Sequence, residues 1–452
     1  MVVFLLLVIG GVAAYAWNSS PQLIRVTPQP GAENVGATGS IRLEFSRSMD
    51  QRSVESRLQI FPAVEGLILW DENSLIFTPH QPWLTGQNVQ VQLERGAKAA
   101  SWLAFSMHGD SWEFTIGQTN LAYLWPSSGS ADIYSLDPIT GTIRQYTHGM
   151  NVLDYSANTA GSKFYFSAGN AKSGADLYLV DRIKADSVTQ SPYQPEKLMD
   201  CGEAQCRNPV VSPDGKALAY EYLAATTIGR VSLVQIWTLS LPDLVAAPGG
   251  QAQHETVQPM WSPTGLLAYY DRTSRCYEIF DRATQVREQL PNQTGQPGVW
   301  ATDGAYYLAP EISYQQTSNS FETGSSHLIR YRISDKTVED ISGADAVEDV
   351  EAVYSPDGKS IAFTRKSLDA AHWSPGRQIW VMDSDGANPH PIIDEADYNH
   401  YDLAWRQDSS QLAYVRFNQE SISDPPELWM INVDGGKPIQ LKVGGYSPIW
   451  IP

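Results

Sequence analysis

Residues 211–220 have the sequence VSPDGKALAY, in which a Ser-Pro-Asp-Gly turn leads into a short strand that ends in Ala-Tyr. In this turn proline fixes φ, aspartate can accept hydrogen bonds from its own backbone, and glycine adopts the positive φ. The stretch therefore predicts a hairpin of two antiparallel strands. Clear copies follow at residues 261–269 (WSPTGLLAY) and 354–363 (YSPDGKSIAF), and weaker ones at 155–166, 300–308 and 405–414.

A second element recurs as a short, half-apolar strand after each hairpin. Its copies are DLYLVD at 176–181, QIWTL at 235–239, CYEIFD at 276–281, HLIRY at 327–331, QIWVMD at 378–383 and ELWMI at 427–431. A seventh copy, DIYSLD at 132–137, precedes the first hairpin, and the C-terminal YSPIW at 446–450 begins like an inner strand and then stops. Seven units in this part of the chain take up roughly 47 residues each, a repeat length that predicts a β-propeller. Seven blades, one of them built from both chain ends, are the preferred count, and six blades are the alternative.

These Ser-Pro-Asp-Gly-Lys and Asp-x-Asp-Gly units resemble the repeats of TolB-like propellers, which are shared with the propellers of prolyl-oligopeptidase-type enzymes. The resemblance extends from residue 121 to 452 and is strongest at 209–222, 352–388 and 403–441. It implies a bacterial periplasmic or surface propeller that binds other proteins. We therefore expect a TolB-like β-propeller at residues 119–452.

The preceding segment, residues 21–118, contains short alternating runs such as IRLEF at 41–45 and NVQVQL at 88–93, separated by turn residues. Alternation with period two predicts an antiparallel β-sandwich. The residues VTP at 26–28, IRLEFS at 41–46 and SLIFTP at 74–79 resemble the bacterial Ig-like domain of S-layer proteins. That resemblance implies a spacer or adhesion module without chemistry, so the expected fold class of the whole chain is all-β.

Residues 2–17 (VVFLLLVIGGVAAYAW) carry no charge. This segment predicts an N-terminal hydrophobic helix, within residues 1–20, that is either a cleaved signal peptide or an uncleaved membrane anchor. Either alternative exports the rest of the chain. An oxidising compartment would allow Cys201 and Cys206 to form a disulfide, while Cys276 is expected to be a buried hydrophobic residue.

The chain has 31 Lys and Arg against 50 Asp and Glu, a net charge of −19. Because nucleic acids and anionic membrane surfaces are bound mainly through basic side chains, this charge argues against both as partners. Contact with a membrane is expected only through residues 2–17, if they are retained.

The candidate binding site is the rim of the propeller channel. It is assigned to the positions three residues before the aromatic residue that opens each inner strand. The strongest candidates are Asn208, Gln258, Glu351 and Asp402. The same rule gives Val152, Pro297 and Ser447, and it places Glu348, Asp349 and Tyr401 nearby. A polar rim of this kind can hold a peptide, a cation or a partner's basic tail; the alternative is that these side chains form solvated surface.

No G-x-S-x-G, H-E-x-x-H or phosphate-loop motif occurs in the sequence, and no catalytic residue, metal ligand or cofactor is assigned. The acidic run at 383–388 (DSDGAN) is interpreted as a turn between strands. We therefore expect an exported, non-enzymatic envelope protein that binds a protein or peptide through its propeller. The alternatives are a metal-dependent, lactonase-like hydrolase acting at the channel and a structural surface-layer component.

Overall fold

The structure is a computed structural model. It describes residues 20–32, 35, 40–81, 83–84, 86–100, 106–117, 119–187, 192–225, 232–315, 323–343 and 346–452. The hydrophobic helix expected at residues 2–17 lies outside these ranges. Among the described residues, no helix combines the length and apolarity needed to cross a bilayer. The chain divides into two compact units, residues 1–118 and 119–452.

The described residues of the first unit form two antiparallel sheets and one short helix. The first sheet has the order β1 (Leu23–Thr27), β2 (Ile41–Phe45), β5 (Ser74–Pro79), β4 (Gly66–Asp71). The second has the order β3 (Leu58–Phe61), β6 (Asn88–Leu93), β7 (Asp110–Thr115). Helix α1 (Gln51–Glu55) begins after Asp50, whose carboxylate accepts a hydrogen bond from the Ser53 N–H.

Strand alternation builds the core of this unit. In β2 the side chains of Ile41, Leu43 and Phe45 are buried, while Arg42 and Glu44 are only partly covered. Strand β6 likewise buries every second residue, and both strands contribute to one hydrophobic cluster. Because successive side chains of a strand point to opposite faces, this pattern places the apolar faces of both sheets in the same interior.

The second unit consists of consecutive antiparallel groups of four strands, which we number as sheets 1 to 7. Sheets 2 and 3 are continuous through one parallel pairing, of Ala175 with Gln205. Sheet 1 contains β8 (Asn120–Trp125), β9 (Asp132–Leu136), β10 (Ile143–Gln145) and the C-terminal β35 (Tyr446–Ile451). Sheet 2 contains β11 (Val152–Ala157), β12 (Lys163–Gly169), β13 (Ala175–Asp181) and β14 (Glu196–Met199), with helix α2 (Arg182–Ser187) after β13. Sheet 3 contains β15 (Gln205–Val211), β16 (Ala217–Leu223), β17 (Val234–Ser240) and β18 (Val245–Pro248).

The remaining groups have the same order of strands. Sheet 4 contains β19 (Thr256–Trp261), β20 (Leu267–Asp271), β21 (Cys276–Phe280) and β22 (Arg287–Pro291). Sheet 5 contains β23 (Val299–Trp300), β24 (Tyr306–Gln315), β25 (Thr323–Arg332) and β26 (Val338–Asp340). Sheet 6 contains β27 (Val347–Tyr354), β28 (Ser360–Ser367), β29 (Gln378–Asp383) and β30 (His390–Pro391). Sheet 7 contains β31 (Tyr398–Trp405), β32 (Gln411–Asn418), β33 (Glu427–Asn432) and β34 (Ile439–Val443).

The Ser-Pro-Asp-Gly turns connect the first two strands of a sheet. Between β15 and β16, the Ser212 hydroxyl donates to Asp214 and accepts from the Ala217 N–H at 3.0 Å. Gly215 follows with φ +69°, a value that most residues with a side chain avoid. The turn between β27 and β28 repeats these contacts with Ser355 and Asp357. The hydroxyl and the carboxylate therefore satisfy the backbone of the turn, so the residues are structural.

Buried side chains join each sheet to the next. The shared clusters contain, in order, Ala122 with Phe164, Tyr165 with Leu218, Ala219 with Leu267, Tyr277 with Tyr307, Leu308 with Ile361, and Ile379 with Leu412. A further cluster joins sheet 7 to sheet 1 through Val415 and Leu121. Strand β35 pairs antiparallel with β8, with Trp450 opposite Leu121. The last strand of the chain thus completes the sheet that contains β8.

Tryptophans at the end of the first strands link neighbouring sheets by hydrogen bonds. The indole Nε1 of Trp261 donates to the Val210 carbonyl of the preceding sheet at 3.1 Å. Trp405 donates in the same way to a carbonyl of sheet 6, and Trp450 donates to Ala404 of sheet 7 at 3.0 Å. These side chains fill the space between sheets with both apolar area and a satisfied N–H.

Candidate functional site

In five sheets the strand that opens the repeat, which we call the first strand, contains a β-bulge with a residue in the left-handed region. In sheet 1 this strand is β35. The left-handed residues are Asn208, Gln258, Glu351, Asp402 and Ser447, with φ between 48° and 59°. At each of them the strand register skips, as between Val350 and Val353 in β27. A bulge interrupts the ladder and turns a backbone N–H away from the partner strand. The sequence rule for the rim therefore identifies a repeated backbone feature.

In sheets 7 and 1 the freed N–H groups donate to carboxylates of the preceding sheet. The Asp402 N–H donates to Glu351 Oε2 at 3.1 Å. The Ser447 N–H donates in turn to Asp402 Oδ2 at 3.2 Å. Each acid thus holds the bulge of the next sheet, and two of the predicted rim residues, Glu351 and Asp402, lie next to each other.

The bulge N–H groups of sheets 3 and 4 also donate to carboxylates of the preceding sheet, but these acids stand at other positions of the repeat. The Asn208 N–H donates to Asp154 Oδ2 at 3.3 Å, and the Gln258 N–H donates to Glu221 Oε1 at 2.8 Å. Asp154 also forms an ion pair with Arg207. The backbone of the predicted residues Asn208 and Gln258 is therefore fixed by two acids.

The prediction did not include Asp154 and Glu221. Asp154 directly precedes Tyr155, the aromatic residue that opens the inner strand, and Glu221 directly follows the Ala-Tyr pair that marks the second strand. The two acids stand at different places in the repeat, so no single sequence offset includes both. An acidic residue next to the opening aromatic residue or next to the Ala-Tyr pair is the sequence signal that could have identified them.

A cavity of about 340 Å³ lies where the first strands of sheets 2, 3 and 4 approach the segment that enters β23. Its walls include Asn208 and Gln258 together with Pro209, Met260 and Tyr307. Apolar walls with a few polar groups are typical of ligand sites. Two of the predicted rim residues, together with Pro297, thus line a common cavity.

A second cavity, of about 640 Å³, lies beside Asp402. It is lined by Tyr401 and Tyr446 from the first strands of sheets 7 and 1, and by Asp424 and Pro425 from the β32–β33 hairpin. Glu351 lines neither cavity. Of the predicted rim residues, Asn208 and Gln258 thus line one cavity and Asp402 lines the other.

Burial governs the electrostatics of the two adjacent acids. Removal from water, with the nearby charge of Asp402, raises the pKa of Glu351 from 4.5 to about 7. Burial also raises the pKa of Asp402, while its hydrogen bond from the Ser447 N–H acts in the opposite direction. The phenol of Tyr401 has its pKa raised to about 12 by burial and by both carboxylates. The neutral form of Glu351 is thus favoured at this position.

We expect the contribution of Glu351 to the stability of the second unit to decrease as the pH rises from about 4.5 to about 7. A carboxyl whose pKa is higher in the folded protein than in the unfolded chain stabilises the fold fully only below the unfolded pKa, and the contribution is lost as pH passes the folded pKa. The Glu351→Gln variant should match the wild type near pH 4.5 and exceed it by about 2–3 kcal/mol at pH 8.

Urea unfolding of both proteins at pH 4.5 and pH 8 measures this difference. The exposed Glu420→Gln variant is the matched control and should follow the wild type at both pH values. An equal stability difference between Glu351→Gln and wild type at the two pH values would contradict the assignment.

Three further residues, one given by the rim rule and two expected near the rim, have other environments. Val152 is only 2% exposed and packs in the cluster between sheets 1 and 2, because in sheet 2 the left-handed residue is Asn151 instead. Asp349 is fully buried in an ion pair with Arg365. Glu348 pairs with Arg377 at 3.1 Å. Val152, which the rim rule gave, and Asp349, which was expected near the rim, are thus both buried.

Cys201 and Cys206 are joined by a disulfide with their Cα atoms 6.4 Å apart. Cys276 is buried with a free thiol, and burial raises its pKa to about 12. Within the described ranges, no three His, Cys, Asp or Glu side chains converge in a way that could hold a metal ion.

No curated protein matches the chain at a significant level of sequence similarity. Several solved structures resemble it. A puromycin hydrolase is 11% identical, with a TM-score of 0.52, over 74% of this chain and 53% of the hydrolase. A putative TolB from Agrobacterium tumefaciens is 16% identical, with a TM-score of 0.39, over 73% of this chain and 91% of that one. At these identities the likeness concerns the fold alone.

TolB from Acinetobacter baumannii is 11% identical with a TM-score of 0.43, and the match covers 96% of this chain and 99% of that one. In sequence, residues 18–116 match the family model of the bacterial Ig-like domain. The chain thus carries a bacterial Ig-like domain at residues 18–116, and its structural neighbours include TolB β-propeller proteins.

Proposed function

We propose that residues 119–452 form a closed ring of seven blades that binds a protein or peptide partner at the mouth of its central channel. The observation that carries this proposal is the cavity of about 340 Å³ bounded by the first strands of sheets 2, 3 and 4 and by residues at the entry to sheet 5. If the sheets surround a common axis, their first strands are expected to converge on that axis, and this cavity is lined by the first strands of three consecutive sheets. The cluster that joins sheet 7 to sheet 1 supports the closure.

The chemistry of this cavity suits an extended peptide. Pro209, Pro259 and Met260 offer apolar contacts, and the side chains of Asn208 and Gln258 offer amide groups. The side-chain oxygen Oε1 of Gln258 is buried and accepts no hydrogen bond from the described residues. A buried acceptor without a donor is costly, so a peptide N–H that reaches it would stabilise a complex.

We further propose that the protein acts outside the cytoplasm. The bacterial Ig-like match and the Cys201–Cys206 disulfide support this location, since disulfides persist in oxidising compartments. Residues 2–17 would then serve as the export signal or membrane anchor, and the Ig-like unit at 21–118 as a spacer. The function proposed for the whole chain is non-enzymatic.

A peptide library displayed on phage and selected against the purified full chain tests the binding site. We expect selected peptides to lose at least tenfold in affinity for the Met260→Arg variant, which fills the cavity with a charged side chain. The Val286→Arg variant is the matched control and should bind as the wild type does. Val286 directly precedes β22 of sheet 4, is 51% exposed and lies outside the cavity. Peptides that bind Met260→Arg as tightly as the wild type would contradict the proposal.

A second candidate is a hydrolase that uses the adjacent acids. The pKa of about 7 at Glu351 favours this candidate, because a general acid works best with a pKa near the working pH. Hydrolysis of any member of a panel of esters and lactones by the wild type, with loss of that activity in Glu351→Gln, would establish it. Equal rates in both proteins would exclude Glu351 as the acid.

A further inference from the structure

A cavity of about 610 Å³, separate from the channel site, lies at the edge of sheet 6. It is bounded by the β28–β29 hairpin, by the start of β29 and by the segment after β30. We call this cavity the sheet 6 groove. Its volume falls in the range of roughly 300–1,000 Å³ that is usual for small-molecule sites.

Two tryptophans, Trp373 and Trp380, line the groove. Trp373 lies in the β28–β29 hairpin and is 57% exposed, which is high for so large an apolar side chain. The ammonium group of Lys366 lies 5.2 Å from the centre of its ring. A cation on one face of an indole holds the ring in place and leaves the other face available. Trp380, on β29, lines the same groove.

A buried arginine borders the groove with unused donor capacity. Arg365 is 6% exposed; its Nε and Nη2 donate to Asp349, and Nη2 also donates to the Ser342 carbonyl. Its guanidinium lies 4.9 Å from the centre of the Trp380 ring. The third nitrogen, Nη1, donates no hydrogen bond to any residue that the structure describes. Because Nη1 borders the groove, it can donate a hydrogen bond to a ligand oxygen in place of water.

The charges around the groove favour a neutral ligand. The carboxylate of Asp349 neutralises the charge of Arg365, and Asp394 adds a negative charge to the wall of the groove. An anionic ligand would therefore gain little electrostatic attraction there. Lys366 and Arg365 both lie against the tryptophan rings, so a cation would meet like charges. A suitable ligand therefore has an apolar face for the indoles and uncharged oxygen acceptors for the guanidinium.

We propose that the sheet 6 groove binds a neutral oligosaccharide. A pyranose ring has a face of C–H groups that can stack on Trp373, and its hydroxyl and ring oxygens can accept from Arg365 Nη1. The side chain of His372 and the carboxylate of Asp394 line the same groove and provide further polar partners for hydroxyl groups. This site goes beyond the proposed peptide site, because it lies on a different part of the second unit and shares no lining residue with it.

Isothermal titration of the full chain with maltotetraose, cellotetraose and chitotetraose tests the proposal. We expect at least one of these neutral sugars to bind, with a change in tryptophan emission, and to lose tenfold or more in affinity in Trp373→Ala. The Tyr314→Ala variant removes an aromatic side chain of similar exposure from the β24–β25 hairpin and should bind as the wild type does.

Three results would overturn the proposal. The first is that no neutral tetrasaccharide binds, and the second is that binding is unchanged in Trp373→Ala. The third is tighter binding of tetragalacturonate, an acidic sugar of the same length, than of the neutral sugars, because it would contradict the charge argument. Since Trp373 is exposed, its loss is not expected to unfold the protein, and circular dichroism of the variant verifies this.

Discussion

Replacing Trp450 by alanine is expected to lower the free energy of unfolding of the second unit by roughly 3–5 kcal/mol. Trp450 is only 6% exposed and belongs to the cluster between sheets 7 and 1. Its indole donates to the Ala404 carbonyl at 3.0 Å, and its strand, β35, pairs with β8. The substitution removes a large apolar contact and leaves the Ala404 carbonyl without this donor. Urea unfolding followed by far-ultraviolet circular dichroism measures the loss.

Trp373→Ala is the matched control, because it removes the same side chain from an exposed position. Its effect on stability should stay within about 0.5 kcal/mol. If sheets 1 and 7 were not held together through Trp450, the two variants would unfold at similar urea concentrations. A marked shift for Trp450→Ala alone supports the proposed closure of the ring, on which the channel site depends.

Local turn chemistry explains why so much of this architecture could be predicted from the sequence. A Ser-Pro-Asp-Gly turn determines where one strand ends and the next begins, as at Ser212 and Ser355. Most of the predicted third strands, such as residues 378–383, follow a hairpin and are strands in the structure. The alternation in β2 likewise indicated its buried face.

The candidate site was less accessible to prediction. A fixed offset from an aromatic residue located the bulges at Asn208, Gln258, Glu351 and Asp402, because a bulge is a local backbone feature. The same offset failed at Val152, where the left-handed residue lies one position earlier. The cavities depend on which side chains from several sheets converge, and no spacing within one repeat contains that information.

The Asp349–Arg365 pair shows how burial changes the role of an acid near the predicted rim. Asp349→Ala should lower the free energy of unfolding of the second unit by about 3–5 kcal/mol. Arg365 would then keep its charge in a site that is 6% exposed, with the Ser342 carbonyl as its remaining polar partner among the described residues. Thermal or urea unfolding at pH 7 measures the loss.

A double variant separates the cost of an unpaired charge from the value of the pair itself. Asp349→Leu combined with Arg365→Met removes both charges and keeps apolar volume between Phe363 and Trp380, so it should recover most of the stability lost in Asp349→Ala. A double variant as unstable as Asp349→Ala would mean that packing rather than the unpaired charge causes the loss. Because the double variant also lacks the Nη1 donor, it should bind neutral tetrasaccharides more weakly even when it is folded. Loss of sugar affinity with restored stability would show that Arg365 contributes to the groove independently of its contribution to the fold.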